Sequence, residues 1–164
     1  KSCHATMAFA HVGIDWYSQS DQDLYARLER DNWPRDVVKK AFNIMMNAKS
    51  PKAAIGSLNY EQARSGFLMD SGMVPFQRWS NDLVQSIQDA YPELEDVFYA
   101  ELGNHFMNKE GNICTAIAEW GVRERMPILT LHDSFICSLT RSDLLPKKMD
   151  QEFRLQIDAK AVIS

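Results

Sequence analysis

Apolar residues recur at helical spacing along most of this chain. The clearest case is the segment 33–49, in which positions 37, 38, 41, 42, 45 and 46 are apolar and Pro34 stands where the first helical turn accepts proline. This pattern predicts a helix with Arg35, Lys39 and Asn43 on the side opposite the apolar stripe. Weaker patterns predict helices over 21–30, 60–70, 76–90, 92–102 and 109–120, and a last helix from Ser142 that carries Ile157.

Local signals predict where some of these helices begin and end. Residues 50–57 are interpreted as a break after the helix 33–49. Asn59 with Gln62 three residues later resembles a capping box, which predicts the start of the helix 60–70. Gly121 is expected to end the helix 109–120, because glycine is common just after a helix C-terminus.

Two β-rich runs, PILTL (127–131) and FICSL (135–139), stand on either side of His132, Asp133 and Ser134. They predict a hairpin over 127–139. A lone hairpin is marginally stable, so we expect it to pair with further strands. The predicted fold class is therefore α+β, mostly helical, with a small antiparallel sheet that contains one clear hairpin.

Length and composition are those of an ordinary globular domain. The chain has 164 residues, of which 45% are hydrophobic and 24% charged, and no apolar run is long enough for a membrane span. Because it begins with Lys1 rather than Met, and the hairpin lacks visible partner strands, we expect a fragment or a processed chain. The three cysteines are far apart and lack metal-ligand spacing, which predicts small buried residues in a reducing cytoplasm.

Charge is unevenly distributed. Residues 27–64 contain eight basic and four acidic side chains, a charge of +4. Because the whole chain has a net charge of −4, the remaining residues together carry −8. A positive segment in an acidic chain suits an anionic ligand bound at one place. A solvated helix face, in which Arg35 and Lys39 pair with Glu29 or Asp36, accounts for the same charges.

The tripeptide at the centre of the hairpin has three interpretations. A serine nucleophile at Ser134 is disfavoured because no glycine flanks it. A turn is the ordinary role of an Asp-Ser pair. The third interpretation is a metal-binding Asp133 at the hairpin tip. Arg35 and Lys39, four residues apart, would match a polyphosphate whose other side is neutralised by a divalent ion at Asp133.

Two motifs resemble a known family. RDVVKKAFNIMMN (35–47) resembles the fingers helix of family A DNA polymerases and phage-type single-subunit RNA polymerases, which carries Arg, then Lys four residues on, then a nucleotide-selecting position eight further. LHDSF (131–135) resembles their palm hairpin, and the order and the spacing of about a hundred residues are similar. The chain also resembles polymerase-like proteins of phages and mobile elements, most clearly over 110–136.

The resemblance implies a template-directed nucleotidyltransferase, represented by a single fingers-and-palm fragment over 1–164. Fingers-like helices would span 21–107, and a palm-like helix, hairpin and helix would span 108–164. The implied partners are a nucleic-acid template and primer and nucleoside triphosphates, with no membrane, and the expected form is a monomer. The alternative is a non-catalytic helical module that binds nucleic acid or assists replication, in which His132–Ser134 is a turn.

The resemblance also assigns roles to residues. Arg35 and Lys39 would hold the incoming triphosphate, with Asn43 and Asn47 in the nucleotide site. Asp133 would be one of two aspartates that bind Mg²⁺ or Mn²⁺. His132 would be a catalytic-site residue that supports the primer or product end.

The motif is not matched throughout. Asn47 stands where the relatives have Tyr, and Asn43 where the DNA enzymes often have an aromatic residue, so sugar selectivity does not carry over. The family's first metal-binding aspartate would align just before Lys1. We therefore expect the isolated chain to be inactive or nearly so.

Overall fold

The computed structural model describes residues 3–31, 33–131 and 134–161, and this part of the chain is mostly helical with one small antiparallel sheet. The predicted α+β class is confirmed. The chain forms two compact units: residues 22–103 form one, and residues up to 21 together with those from 104 onward form the other. The α-helices are α1 (Cys3–His11), α2 (Trp16–Gln19), α3 (Arg35–Asn47), α4 (Pro51–Ser65), α5 (Phe67–Asp70), α6 (Trp79–Ala90), α7 (Gly103–Arg123) and α8 (Leu144–Ile157), and the strands are β1 (Ile128–Leu131) and β2 (Ser134–Cys137).

Helix α3 is the central element of the 22–103 unit and packs against α4 and α6. Its predicted apolar stripe is confirmed, since each member is at most 1% exposed. Phe42 makes edge-to-face contacts with Tyr25, Tyr91 and Phe98, with ring centroids 5.2 to 5.7 Å apart. The hydroxyl of Tyr91 donates to the carbonyl of Leu24 at 2.6 Å, which satisfies the polar atom of this buried ring. The stripe consists of Val37, Val38, Ala41, Phe42, Met45 and Met46.

The predicted start of the following helix is wrong. Helix α4 begins at Pro51, nine residues before the predicted 60–70 segment. The Ser50 hydroxyl accepts a hydrogen bond from the Ala53 amide at 3.2 Å, so Ser50 is the N-cap and Pro51 the first helical residue. Serine followed by proline is a start signal, because the proline lacks only an amide that would have no helical partner. Asn59 lies inside the helix.

The α-helices predicted over 92–102 and 21–30 are absent, and polar contacts to the backbone account for both differences. The segment 92–102 forms only one 3₁₀ turn (Pro92–Leu94). Tyr99 and Glu101 then adopt left-handed backbone angles, and the amides of Tyr99 and Leu102 donate to the carbonyls of Met45 and Met46. These bonds satisfy carbonyls at the end of α3 that would otherwise lack partners.

The segment predicted as a helix over 21–30 contains instead a 3₁₀ helix over Ala26–Asp31. A carboxylate oxygen of Asp23 accepts the amide of Tyr25 at 2.9 Å, a local turn that competes with the first turn of an α-helix.

In the other unit, α7 continues through Gly121 to Arg123, so the predicted helix end at Gly121 is wrong. A Cβ atom at Gly121 would lie 2.8 Å from the Ile128 side chain and from the Met126 carbonyl. The glycine therefore permits close packing of the following strand rather than ending the helix.

The predicted hairpin is present, with β1 antiparallel to β2 and Leu129 opposite Ile136. Further strands were expected beside it, but in the ranges 3–31, 33–131 and 134–161 the sheet has two strands. Three large apolar side chains of the hairpin remain more than half exposed, namely Leu129, Leu131 and Ile136. Helix α8 is the predicted last helix, and it supplies Phe153 and Ile157 to the core.

Candidate functional site

Arg35 lies in the first turn of α3 and is held by an acid that the sequence analysis did not identify. Its Nε and Nη2 atoms donate to Oδ2 of Asp23 at 3.0 and 2.7 Å. These hydrogen bonds raise the pKa of the guanidinium. The guanidinium also lies 5.2 Å from the centre of the Tyr25 ring, and Nη1 is 3.8 Å from Asp36. Arg35 is therefore a fixed cation. The two nitrogens bonded to Asp23, Nε and Nη2, together carry three of its five N–H groups.

Lys39 follows one turn later on the same side of α3 and is half-buried. Within the described part of the chain, no carboxylate forms an ion pair with it. Its neighbour Lys40 differs, because its ammonium lies 3.2 Å from Glu61 and 4.5 Å above the Phe67 ring. Lys39 therefore has no acidic partner among the described residues, whereas Lys40 is used in packing α3 against α4.

Asn43 lies one further turn along α3. Its Oδ1 atom is buried and has no hydrogen-bond partner among the residues that the structure describes. A buried acceptor without a donor is unfavourable by about 1–3 kcal/mol, so such atoms in native proteins are commonly satisfied by a ligand or water. The hydroxyl of Tyr99, in the same unit, is also buried without a partner, and burial raises its pKa.

The side chain of Asn47 is directed at the protein itself. Its Nδ2 donates to the carbonyl of Asn43 at 2.7 Å. Its Oδ1 lies against Gly103, so closely that a Cβ atom on Gly103 would be 1.6 Å away. Asn47 therefore links the end of α3 to the start of α7. It occupies the position of the nucleotide-selecting residue in the resemblance, but its present contacts are structural.

The contact between Asn47 and Gly103 gives a testable prediction. Gly103→Ala should lower the free energy of unfolding by about 0.5–1.5 kcal/mol, because the added methyl group displaces the amide of Asn47 from its hydrogen bond to the Asn43 carbonyl. In an Asn47→Ala background the same substitution should be neutral or stabilising, since alanine is the better helix former by about 0.5–1 kcal/mol. Denaturant unfolding of the four variants measures both values. An equal loss in both backgrounds would show that Asn47 is not the obstacle.

The predicted catalytic and metal-binding residues, His132 and Asp133, lie outside the described residues. The strands on either side are described: β1 ends at Leu131 and β2 begins at Ser134, whose side chain is exposed. Within 3–31, 33–131 and 134–161, no group of three or more His, Cys, Asp or Glu side chains is placed to hold a metal ion. The magnesium site therefore stays a prediction.

The positive charge of residues 27–64 is largely compensated in the structure. Of its seven basic residues whose side chains are described, five form ion pairs, and three of the acids involved come from outside the segment, which a count along the sequence does not include. In the described ranges, Lys39 and Lys52 remain without an ion-pair partner. The pairs are Arg27–Glu93, Arg35–Asp23, Lys40–Glu61, Lys49–Glu101 and Arg64–Glu61.

Comparisons with known proteins add no relative: no protein-family model, curated protein or solved structure matches this chain. Among the described residues, none of the helices combines the length and apolar character needed to cross a bilayer. The site is therefore defined by its own geometry, which brings together Arg35, Lys39 and Asn43 on one side of α3.

Proposed function

We propose that this chain is part of a template-directed nucleotidyltransferase and that α3 binds the incoming nucleoside triphosphate. The observation that carries the proposal is the pair formed by Lys39 and Asn43. Among the described residues, the Lys39 ammonium has no acidic partner and the buried Asn43 Oδ1 has no donor, and the two lie one turn apart on a helix whose opposite side is anchored in the core. A nucleotide supplies both missing groups: phosphate oxygens for the ammonium, and hydroxyl or amino hydrogens for the amide oxygen.

Arg35 contributes differently from Lys39. Asp23 binds its Nε and Nη2 atoms and fixes the plane of the guanidinium, while among the described side chains the one acid near Nη1 is the exposed Asp36, at 3.8 Å. In the proposed complex, Nη1 donates to a phosphate oxygen while Nε and Nη2 remain bonded to Asp23. The catalytic contribution of these cations is orientation of the triphosphate and stabilisation of its charge during transfer.

The proposal includes a magnesium or manganese ion, which is supported only by the family resemblance and by the role it gives to Asp133. The metal would neutralise the phosphates and assist departure of pyrophosphate when bound. His132 is proposed to support the primer or product end. The partners are a template with its primer and nucleoside triphosphates.

Substitution of Lys39 tests the triphosphate site. Lys39→Ala should weaken triphosphate use about ten- to a hundredfold, because one charge-assisted bond contributes about 1.5–3 kcal/mol. Binding of template and primer should change less, since that affinity is spread over many cations. Titration with a fluorescent triphosphate measures the first effect, and anisotropy of a labelled template and primer measures the second.

Lys52→Ala is the matched control. Lys52 is an exposed cation on α4 that has no ion-pair partner in the described part of the chain. Its loss should leave triphosphate affinity within about twofold, as expected for a surface charge away from the site. Equal effects of the two substitutions, with both variants folded, would reject a local triphosphate site on α3.

A second candidate is the non-catalytic module that binds nucleic acid. The observation that favours it is the ion pair between Arg35 and Asp23, which compensates one of the two cations assigned to the triphosphate. This candidate predicts salt-dependent nucleic-acid binding that is unaffected by added triphosphate. The anisotropy titration, repeated with and without triphosphate at two salt concentrations, separates the two candidates.

A further inference from the structure

A cavity of about 560 Å³ lies within the unit that contains α1, α7, α8 and the hairpin. Its size is in the range of pockets that hold small organic molecules, about 300–1,000 Å³. Helix α7 contributes Ile113 and Ile117, and α8 contributes Met149 and Phe153. The wall combines these apolar side chains with polar ones, among them Thr6, Ser134 and Ser142, and the cavity belongs to a different unit from Lys39.

All three cysteines of the chain line this one cavity, although they are far apart in the sequence. Cys3 comes from α1, Cys114 from α7 and Cys137 from β2, and each is half-buried. The sequence predicted small buried residues at these positions, and the structure places all three partly buried. A thiol is a small, polarizable and nearly apolar group, so three of them add to a surface suited to a hydrophobic ligand.

The charge of the cavity wall indicates the class of ligand. Among the described residues that line it, Glu110 is the only charged side chain, and none is basic. Its Oε2 atom lies 3.3 Å from Nε2 of His4, and both side chains are 27% exposed. A half-buried carboxylate in a cavity without basic residues favours a cation and disfavours an anion, because burial of like charges is unfavourable.

We propose that this cavity is a binding site for a small apolar amine whose ammonium group pairs with Glu110. The hydrocarbon part of the ligand contacts the isoleucines of α7 and the three thiols. In this arrangement the ammonium group either replaces His4 as the partner of the Glu110 carboxylate or binds the carboxylate together with His4. The two cavity features that the predicted polymerase function leaves unused, the thiol cluster and Glu110, then serve one ligand.

The cysteines provide the measurement. The probe is N,N-dimethyloctylamine, compared with octanoate and octanol, which have the same chain length and a negative or no charge. Alkylation of each thiol by iodoacetamide is followed by mass spectrometry on the full chain. At an amine concentration ten times its Kd, all three thiols should react about tenfold more slowly, because only the free fraction of the protein is accessible. Octanoate should give little protection.

Two substitutions test the role of the carboxylate. Glu110→Gln should weaken amine binding about tenfold or more, since it removes the charge-assisted bond. Glu119→Gln is the matched control, because Glu119 is an exposed glutamate on the same helix, paired with Arg123 at 3.8 Å. His4→Gln should retain or strengthen binding, which separates loss of the ligand contact from loss of the His4–Glu110 pair.

Several outcomes would overturn the proposal. Equal protection by the amine, octanoate and octanol would show an apolar cavity without charge selection. Protection of a single cysteine, or none, would show that the three thiols do not share one ligand. Protection that rises with protein concentration in the absence of ligand would assign the cavity to a second copy of the chain.

Discussion

Replacement of Phe42 by alanine is expected to lower the stability of the 22–103 unit by about 3–5 kcal/mol. Phe42 is fully buried, and three aromatic rings surround it: Tyr25, Tyr91 and Phe98. Its removal leaves a cavity and also breaks edge-to-face contacts, each of which contributes about 0.5–1.5 kcal/mol beyond burial. Hydrogen exchange of the α3 amides measures this unit by itself, which matters because two compact units need not unfold together.

Tyr60→Ala is the control for this substitution. Tyr60 is also an aromatic residue of the 22–103 unit, on α4, but is 67% exposed. Its removal should change stability by no more than about 0.5 kcal/mol. If Phe42→Ala were no more damaging than Tyr60→Ala, the aromatic cluster around α3 would not be the centre of this unit.

Asp133→Asn should have the largest functional effect if the proposed activity is correct. We expect primer extension by the intact protein to fall by about a hundred- to a thousandfold, more than for Lys39→Ala, because a ligand to the metal that stabilises transition-state charge is lost. The protein should remain folded, since an isosteric amide preserves the shape of the side chain. Single-nucleotide incorporation kinetics and thermal melts of both variants provide the measurement.

Asp143→Asn is the comparison for Asp133→Asn. Asp143 is an exposed acid that precedes α8 and makes no side-chain capping bond. Its substitution should leave incorporation kinetics within about twofold. Near wild-type extension by the Asp133→Asn variant would assign the His132–Ser134 tripeptide to a turn and favour the binding module.

The sequence by itself determined the elements that depend on local periodicity. The apolar stripe of α3, the helix up to Ala90, the hairpin of β1 and β2 and the mostly helical class all follow from spacing that neighbouring residues specify among themselves. The grouping of Arg35, Lys39 and Asn43 on one side of α3 follows for the same reason, because four-residue spacing is enough to place side chains together on a helix.

Only the tertiary structure decided which groups are paired and where two segments approach closely. The segment 92–102 has helical spacing, yet its amides bind the carbonyls of Met45 and Met46, and these long-range bonds outweigh a weak local propensity. The glycine at position 121 indicated a helix end by local rules. The close approach of the Ile128 side chain, which leaves no space for a Cβ atom, explains why a glycine stands there.

Charge partners and shared cavities depend on the tertiary structure for the same reason. Asp23 lies twelve residues before Arg35, and no local rule selects it over Glu29 or Asp36. The cysteines meet at one cavity because α1, α7 and β2 each contribute to its wall, although their positions in the sequence are more than twenty residues apart. Spacing fixes neighbours within one element, whereas contacts between elements depend on how the whole unit buries its apolar surface.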